Sequence, residues 1–192
     1  PSLDFVSFFR AAHQWLKNPD PVRIDEIRLI LDGLAADYDR EPNRHLTWPE
    51  ETGSEWIMPR WDAIEECDEF TDAERLRYTN LFLQQLRAQP QHIYEYKKLE
   101  NATSLTWNHI TFPLLGLYFS SRYFRVYYPE ADAEQVALFG RKIDACFTAQ
   151  EICWKPREDS AGYIAITPRH MMTWCLAENR RGWIEKGFPL RF

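Results

Sequence analysis

Apolar residues recur along most of this sequence at the three- and four-residue spacing of an α-helix. Within residues 22–38, for example, the apolar side chains fall on one stripe of a helical surface: Ile24, Ile27, Ile30, Leu31 and Leu34. We find no segment with the sustained alternation of apolar and polar residues that indicates a ladder of β-strands. The periodicity therefore predicts an all-α protein whose helices each bury one apolar stripe.

Capping residues and prolines divide this pattern into successive helices. Thr71 and Glu74 have the spacing of a capping box. Thr167 followed by Pro168 is typical of an N-cap and a first helical position, and Pro59 also suits a helix start. Helices are therefore predicted at residues 3–16, 22–38, 59–67, 71–88, 91–99, 112–128, 131–151 and 168–179.

The order of these helices predicts which segments lie close together. Short connections make consecutive helices antiparallel, so alternate helices point the same way and share one end. The segments just before residues 112 and 168 are then expected at a common rim, together with the polar stretch 39–59, which is predicted to be a long loop. We expect one domain, residues 1–192, in which antiparallel helical hairpins form an incomplete or small (α/α) toroid or a fragment of a larger one.

The charge balance limits the partners of the chain. With a net charge of −6, the surface is not basic overall, so no nucleic-acid partner is expected. Arg122, Arg125 and Arg141 are interpreted as solvated faces of their helices. No apolar run is long enough for a membrane span, and the first residues lack the pattern of a signal peptide, so we expect no membrane partner.

The sequence also lacks the common motifs of cofactor and metal sites. The four cysteines have no zinc-like spacing and are predicted to be reduced and structural: Cys67, Cys146, Cys153 and Cys175. Glycine-rich nucleotide-binding motifs, HExxH and GxSxG are absent. No cofactor or metal ion is therefore predicted.

Aromatic residues make up 15% of the chain and include eight tryptophans. The structural interpretation is that most of them form the core. The remainder are expected to be exposed platforms, because flat rings stack on the apolar face of a sugar. The predicted loop 39–59 carries three candidates for this role: His45, Trp48 and Trp56.

The segment WNHITFP, residues 107–113, places Trp107, Asn108 and His109 side by side ahead of the strongest predicted helix. Asn108 is an acceptable N-cap, which is the structural interpretation. Alternatively, Thr111 caps the helix, and Asn108 and His109 lie just outside it and face a ligand. The sequence leaves both interpretations open.

Tyr163 follows a turn formed by residues 158–162. It is either a buried tyrosine with a satisfied hydroxyl or a proton carrier. Because tyrosine normally titrates at about pH 10, a proton carrier needs a positive group nearby. The sequence neighbourhood contains four such residues: Lys155, Arg157, Arg169 and His170.

Glu158 and Asp159 suggest a different chemistry, that of a glycoside hydrolase, which needs two carboxylates facing each other across a sugar ring. Adjacent residues on one loop rarely straddle a ring, so this hypothesis ranks below the others. A second carboxylate from the loop predicted at residues 39–59 remains open, and the candidates are Glu50, Glu51 and Glu55.

Two segments together resemble a known family. WNHITFPLLGLY at residues 107–118 and WKPREDSAGY at residues 154–163 resemble the (α/α) toroid domain of heparinase II/III-like and related alginate-type polysaccharide lyases. The likeness covers roughly residues 60–187. Its most specific part is the separation of 55 residues between Asn108 and Tyr163, which is similar to the family's order of a carboxylate-neutralising Asn or Asn-His pair followed by a catalytic Tyr.

This resemblance implies β-elimination at a uronic acid in an acidic polysaccharide or oligosaccharide. Asn108 and His109 would donate hydrogen bonds to the substrate carboxylate, and Tyr163 would take the C5 proton, protonate the leaving O4, or do both. The residues expected to contact the sugar are Trp107, Trp48, Trp56, His45, Arg169 and His170. Such lyases usually continue into a β-sandwich region, and no β-rich segment is predicted here.

A non-catalytic role is the second hypothesis. A helical module that binds a glycan through a tryptophan-rich rim, or that serves as a protein-interaction scaffold, would show the same periodicity and aromatic content. The first hypothesis implies a periplasmic or secreted location, whereas the second implies none.

Overall fold

The computed structural model describes residues 3–42, 54–92, 108–149 and 165–185. All regular secondary structure in these four ranges is α-helical, which confirms the predicted all-α class. In chain order the helices are α1 Phe5–Lys17, α2 Pro21–Arg40, α3 Ser54–Ile64, α4 Asp72–His92, α5 Asn108–Tyr127, α6 Ala133–Ala149, α7 Ile166–Ala177 and α8 Arg181–Glu185.

The predicted capping box at the start of α4 is confirmed. The carboxylate of Glu74 accepts a hydrogen bond from the backbone N–H of Thr71 at 2.7 Å, and the Thr71 hydroxyl accepts one from the backbone N–H of Glu74 at 3.3 Å. Asp4 and Asp20 cap α1 and α2 in a similar way. These side chains bond backbone N–H groups that have no partner within the helix.

Prolines mark the helix starts less sharply than predicted. Pro59 lies inside α3, which begins at Ser54, so Trp56 belongs to a helix and not to the predicted loop. Pro113 lies inside α5, as predicted, but this helix begins four residues earlier than predicted, at Asn108. A proline removes the hydrogen bond from its own nitrogen to the carbonyl four residues earlier, and its ring crowds that carbonyl, so a helix that continues through it depends on its remaining bonds and its packing.

Two further boundaries differ from the prediction. α4 continues through Pro90 to His92, so the separate helix predicted from Gln91 does not begin there, and residues 93–99 lie outside the described ranges. α7 begins at Ile166, so Thr167 is a buried residue of its first turn and not the N-cap. At both positions the helix extends past the boundary that the local residues indicate.

Helix α5 is the centre of the packing. It contacts α3, α4, α6 and α7, whereas α1 packs on α2 and α3. The core between these helices contains much of the aromatic content, including a stacked Trp61–Phe82 pair with ring centroids 5.4 Å apart and a stacked Phe147–Trp174 pair at 5.2 Å. Trp61 and Trp174 are almost fully buried, as the structural interpretation of the tryptophans expected.

Contacts at both ends of α5 establish the helix directions. At its start, Thr111 contacts His170 in the first turns of α7. Towards its end, Tyr123 donates a hydrogen bond to Glu65 just after α3, and the Tyr118 hydroxyl donates to Glu178 just after α7 at 2.6 Å. α3, α5 and α7 therefore run in the same direction, which confirms the prediction that the starts of α5 and α7 share one end.

Three cysteines in the described ranges are free thiols, Cys67, Cys146 and Cys175. Burial raises the pKa of each to about 11. Such thiols are protonated at neutral pH and weakly nucleophilic, which agrees with the structural role predicted for them. Cys153 lies outside the described residues.

Candidate functional site

The first turns of α3, α5 and α7 meet in a polar cluster, which we call the rim cluster and define as Glu55, Thr111, Arg169 and His170. The Oγ1 atom of Thr111 lies 2.7 Å from Nδ1 of His170. On the other side of the imidazole, Nε2 lies 3.2 Å from an Arg169 nitrogen and 3.7 Å from a Glu55 oxygen. Side chains from three helices therefore converge on one histidine.

Two polar groups lie against the ring nitrogens of this histidine. The Arg169 guanidinium, which can only donate, lies at Nε2. The Thr111 hydroxyl, which can donate or accept, lies at Nδ1. The ring edge also packs on Phe112, with centroids 4.4 Å apart, and these contacts hold the imidazole in one orientation.

The rim cluster is buried on one side and open on the other. Glu55, Thr111 and His170 are at most 2% exposed, whereas the Arg169 side chain is 56% exposed. Arg169 also lies 3.8 Å from Glu55, which makes it the solvent-facing partner of a buried carboxylate. Arg169 is therefore the exposed positive group of the rim cluster.

A second feature lies on α3, one turn further along the helix. The Arg60 guanidinium carbon lies 5.5 Å from the ring centroid of Phe9 and 5.8 Å from that of Trp56. A terminal nitrogen of Arg60 lies 3.1 Å from Nδ1 of His13, and its buried Nε has no hydrogen-bond partner among the described residues.

Arg60 has no counter-ion among the described residues. Burial lowers the pKa of its guanidinium, and no carboxylate of the described ranges lies within ion-pair distance of it. Trp56 beside it is 37% exposed. An exposed indole next to this cation suits a ligand that has both an apolar ring face and a carboxylate.

The predicted catalytic residues are only partly described. Asn108 and His109 are the first two residues of α5, so the alternative in which Thr111 caps this helix and leaves them outside is wrong. The Thr111 hydroxyl bonds to His170 instead. The side chains of Asn108 and His109 and the whole of Tyr163 lie outside the described residues.

The residues predicted to contact the sugar are also only partly described. Trp107, Trp48 and His45 lie outside the described residues, as do Glu158 and Asp159. Arg169 and Trp56 are exposed near the rim cluster. His170 is 1% exposed, so direct contact between its imidazole and a sugar remains a prediction.

The sequence did not indicate Arg60 or the role of Thr111. The only local signal for Arg60 was its position four residues after Trp56, a spacing that brings two side chains together on a helix. Glu55 was considered only as a hydrolase carboxylate, whereas its neighbours are Arg169 and His170.

The described residues thus define an all-α protein with a polar cluster where three helix starts meet. Within the four described ranges, no three His, Cys, Asp or Glu side chains are grouped closely enough to hold a metal ion. None of the helices in those ranges has the length and apolarity needed to cross a membrane. No known family model matches the chain, and no similar curated protein or solved structure was found.

Proposed function

We propose that this chain is a polysaccharide lyase-like domain that cleaves an acidic, uronate-containing glycan by β-elimination. One observation carries the proposal, namely the contact of Thr111, His170 and Glu55, which joins the first turns of α5, α7 and α3. The parallel course of these three helices supports an incomplete or small (α/α) toroid, because such a fold needs alternate helices to point the same way.

The location favours an anionic substrate. Free backbone N–H groups and the helix dipole make the start of a helix favourable for negative charge. Asn108 and His109 belong to the first turn of α5. In the sequence, Tyr163 comes two residues before Ala165, which directly precedes α7. Asn108 and His109 thus belong to one of the helices that meet in the rim cluster, and Tyr163 lies three residues before another in sequence.

In the proposed reaction, Asn108 and His109 donate hydrogen bonds to the uronate carboxylate and stabilise the negative charge that develops there. Tyr163 removes the C5 proton, a C4–C5 double bond forms as the C4–O4 bond breaks, and Tyr163 returns the proton to the leaving O4. A positive group must lower the pKa of Tyr163 for this step, and the exposed Arg169 is one candidate.

The surroundings supply groups for binding the sugar chain. Trp56 offers an exposed ring, and Arg60 beside it offers a cation for a second uronate. Trp48, Trp107 and His45 remain proposed contacts with the polymer. His170 is proposed to hold Arg169 and Thr111 in position.

The test is to offer glycosaminoglycans and alginate to the chain and to follow the ultraviolet absorbance of unsaturated uronate. Tyr163→Phe should lower the rate by at least about 10²-fold with an unchanged melting temperature, because it removes only the proton-carrying oxygen. Tyr128→Phe is the matched control, since Tyr128 lies at the opposite end of α5 and should keep the full rate. A fully active Tyr163→Phe variant would disprove the proposed role.

A non-catalytic glycan-binding module is the second candidate. It is favoured by the burial of His170 and Glu55 beside the exposed Trp56, because a packed polar cluster beside an aromatic platform can bind without turnover. Binding without ultraviolet product, weakened by Trp56→Ala and unaffected by Tyr163→Phe, would establish this alternative. A chain that binds none of these polymers would leave only the protein-interaction scaffold.

A further inference from the structure

A cleft opens between α5, α6 and α7. It lies about 16 Å along α5 from the rim cluster, since an α-helix rises by about 1.5 Å per residue and the distance spans Thr111 to Arg122. Its volume is about 340 Å³. Arg122 and Arg125 of α5 and Arg141 of α6 line it, and Ser121 lies on its wall. The cleft is not part of the site proposed above.

The two carboxylates of the cleft already have partners. Asp144 accepts a hydrogen bond from Arg180, whose guanidinium carbon is held 4.5 Å from the ring centroid of Trp174. Glu178 accepts a hydrogen bond from the Tyr118 hydroxyl at 2.6 Å and lies 3.8 Å from Arg125. These contacts compensate the negative charge of the lining.

The remaining arginines are less compensated. Arg141 forms no ion pair within the described ranges, and Arg122 interacts through space with Asp62, outside the cleft. Both side chains are exposed. They extend from two neighbouring helices, so the cleft has positive charge on both sides.

Ser121 provides an independent observation. The residue is 4% exposed, and its hydroxyl is buried without a hydrogen-bond partner among the described residues. A buried hydroxyl without a partner is unfavourable. Because no hydrogen bond to a described residue fixes its χ1 rotamer, the hydroxyl can turn towards a ligand in the cleft that Ser121 lines.

We propose that this cleft binds a small oxyanion group, a carboxylate, sulfate or phosphate. Arg122 and Arg141 supply the positive charge, and the Ser121 hydroxyl donates a hydrogen bond. Oxyanions suit this lining because guanidinium groups form charge-assisted hydrogen bonds with planar or tetrahedral oxygens. The inference does not rest on the lyase proposal and holds if that proposal fails.

The test titrates the 192-residue chain with acetate, sulfate and inorganic phosphate. Ionic strength is kept constant with sodium chloride, because added salt alone weakens surface electrostatics. Backbone amide chemical shifts should saturate around Ser121, Arg122 and Arg141 with at least one anion. The anion with the lowest Kd identifies the source of the oxyanion, and the absence of saturation with all three overturns the proposal.

Ser121→Ala and Ser120→Ala form a matched pair. Both hydroxyls are buried and have no hydrogen-bond partner among the described residues, but only Ser121 lines the cleft. Both variants should fold at least as stably as the parent, whereas only Ser121→Ala should raise the Kd, by about fivefold. Equal affinities in the two variants would overturn the role of Ser121.

Arg141→Gln and Arg10→Gln form a second pair with the same change in charge. Arg10 is an exposed residue of α1, outside the cleft. Arg141→Gln should raise the Kd by about tenfold, and Arg10→Gln should leave it unchanged. If both variants weaken binding equally, the anion responds only to net charge and the cleft is not its site.

Discussion

At the scale of single residues, the described part of the chain contains charges whose surroundings disfavour ionisation. Glu65 is 7% exposed, and burial raises the pKa of its carboxyl, although the Tyr123 hydroxyl donates to it and opposes this shift. Burial also raises the pKa of Asp62, one turn earlier. Ionising either carboxyl in the folded protein therefore costs more free energy than ionising it in water.

Replacing Glu65 by glutamine should make the protein more stable at neutral pH. A carboxyl with a raised pKa in the folded state favours folding at low pH. That contribution is lost as the pH rises above 4.5, the ordinary pKa of a glutamate. Glutamine resembles the protonated form at every pH, so Glu65→Gln should raise the unfolding free energy at pH 7 by on the order of 1 kcal/mol.

Urea unfolding at pH 4 and pH 7 would measure this effect. Glu66→Gln is the control, because Glu66 is the exposed neighbour and should change the unfolding free energy little. The substitution should raise the unfolding free energy more at pH 7 than at pH 4. A smaller gain at pH 7 than at pH 4 would contradict the assigned direction of the pKa shift.

At the scale of helices, local signals and packing contribute in different places. The capping box of α4 acts within four residues of sequence and was predicted from them. The starts of α3 and α5 were placed too late, at Pro59 and Phe112, whereas these helices begin at Ser54 and Asn108. The additional turns are stabilised by contacts with other helices, such as Glu55 with His170, which the local sequence does not contain.

Thr71→Ala should destabilise the protein by about 1 kcal/mol, because it leaves the N–H of Glu74 without its cap. Thr173→Ala is the matched control. Thr173 lies in the interior of α7, where its hydroxyl bonds the carbonyl of Arg169 four residues earlier, and alanine has a higher helix propensity there. Urea midpoints measure both variants. If the two destabilise equally, the capping box contributes nothing to stability.

At the scale of the whole molecule, α5 connects two ends with different chemistry. Its start contributes to the rim cluster, and its second half lines the cleft between α5, α6 and α7. Between them lies a core that contains several buried acids of high pKa. Burial is the main cause of the raised pKa of Tyr78, Tyr118 and Tyr123, and the three thiols are shifted in the same direction.

These groups predict a loss of stability in alkali. Their protons leave the unfolded chain near pH 9 for cysteine and near pH 10 for tyrosine, while the folded protein still holds them. The unfolding free energy should therefore be independent of these groups below pH 9 and should fall above it. Each group adds a slope of up to about 1.4 kcal/mol per pH unit.

Urea unfolding of the reduced protein at pH 8, 9, 10 and 11 would test this prediction. Tyr78→Phe removes one of the shifted groups. It should therefore make the fall of the unfolding free energy with pH above pH 10 less steep, by the contribution of one group. A midpoint that stays constant from pH 8 to pH 11 would contradict the effect of burial on these residues.

The sequence alone determined the features that depend on neighbouring residues. Helical periodicity gave the all-α class, the Thr71 and Glu74 spacing gave a cap, and short connections implied that α5 and α7 start at the same end. These inferences hold because the spacing of side chains on a helix and the direction of a hairpin are local properties.

Only the tertiary structure decided which side chains meet. Thr111 and His170 are 59 residues apart, and nothing in either segment specifies their contact. The buried Nε of Arg60, which has no hydrogen-bond partner among the described residues, and the cleft between α5, α6 and α7 also depend on how the helices pack. Packing joins residues far apart in sequence, and its free energy depends on the shape of the whole core, so a local pattern cannot predict it.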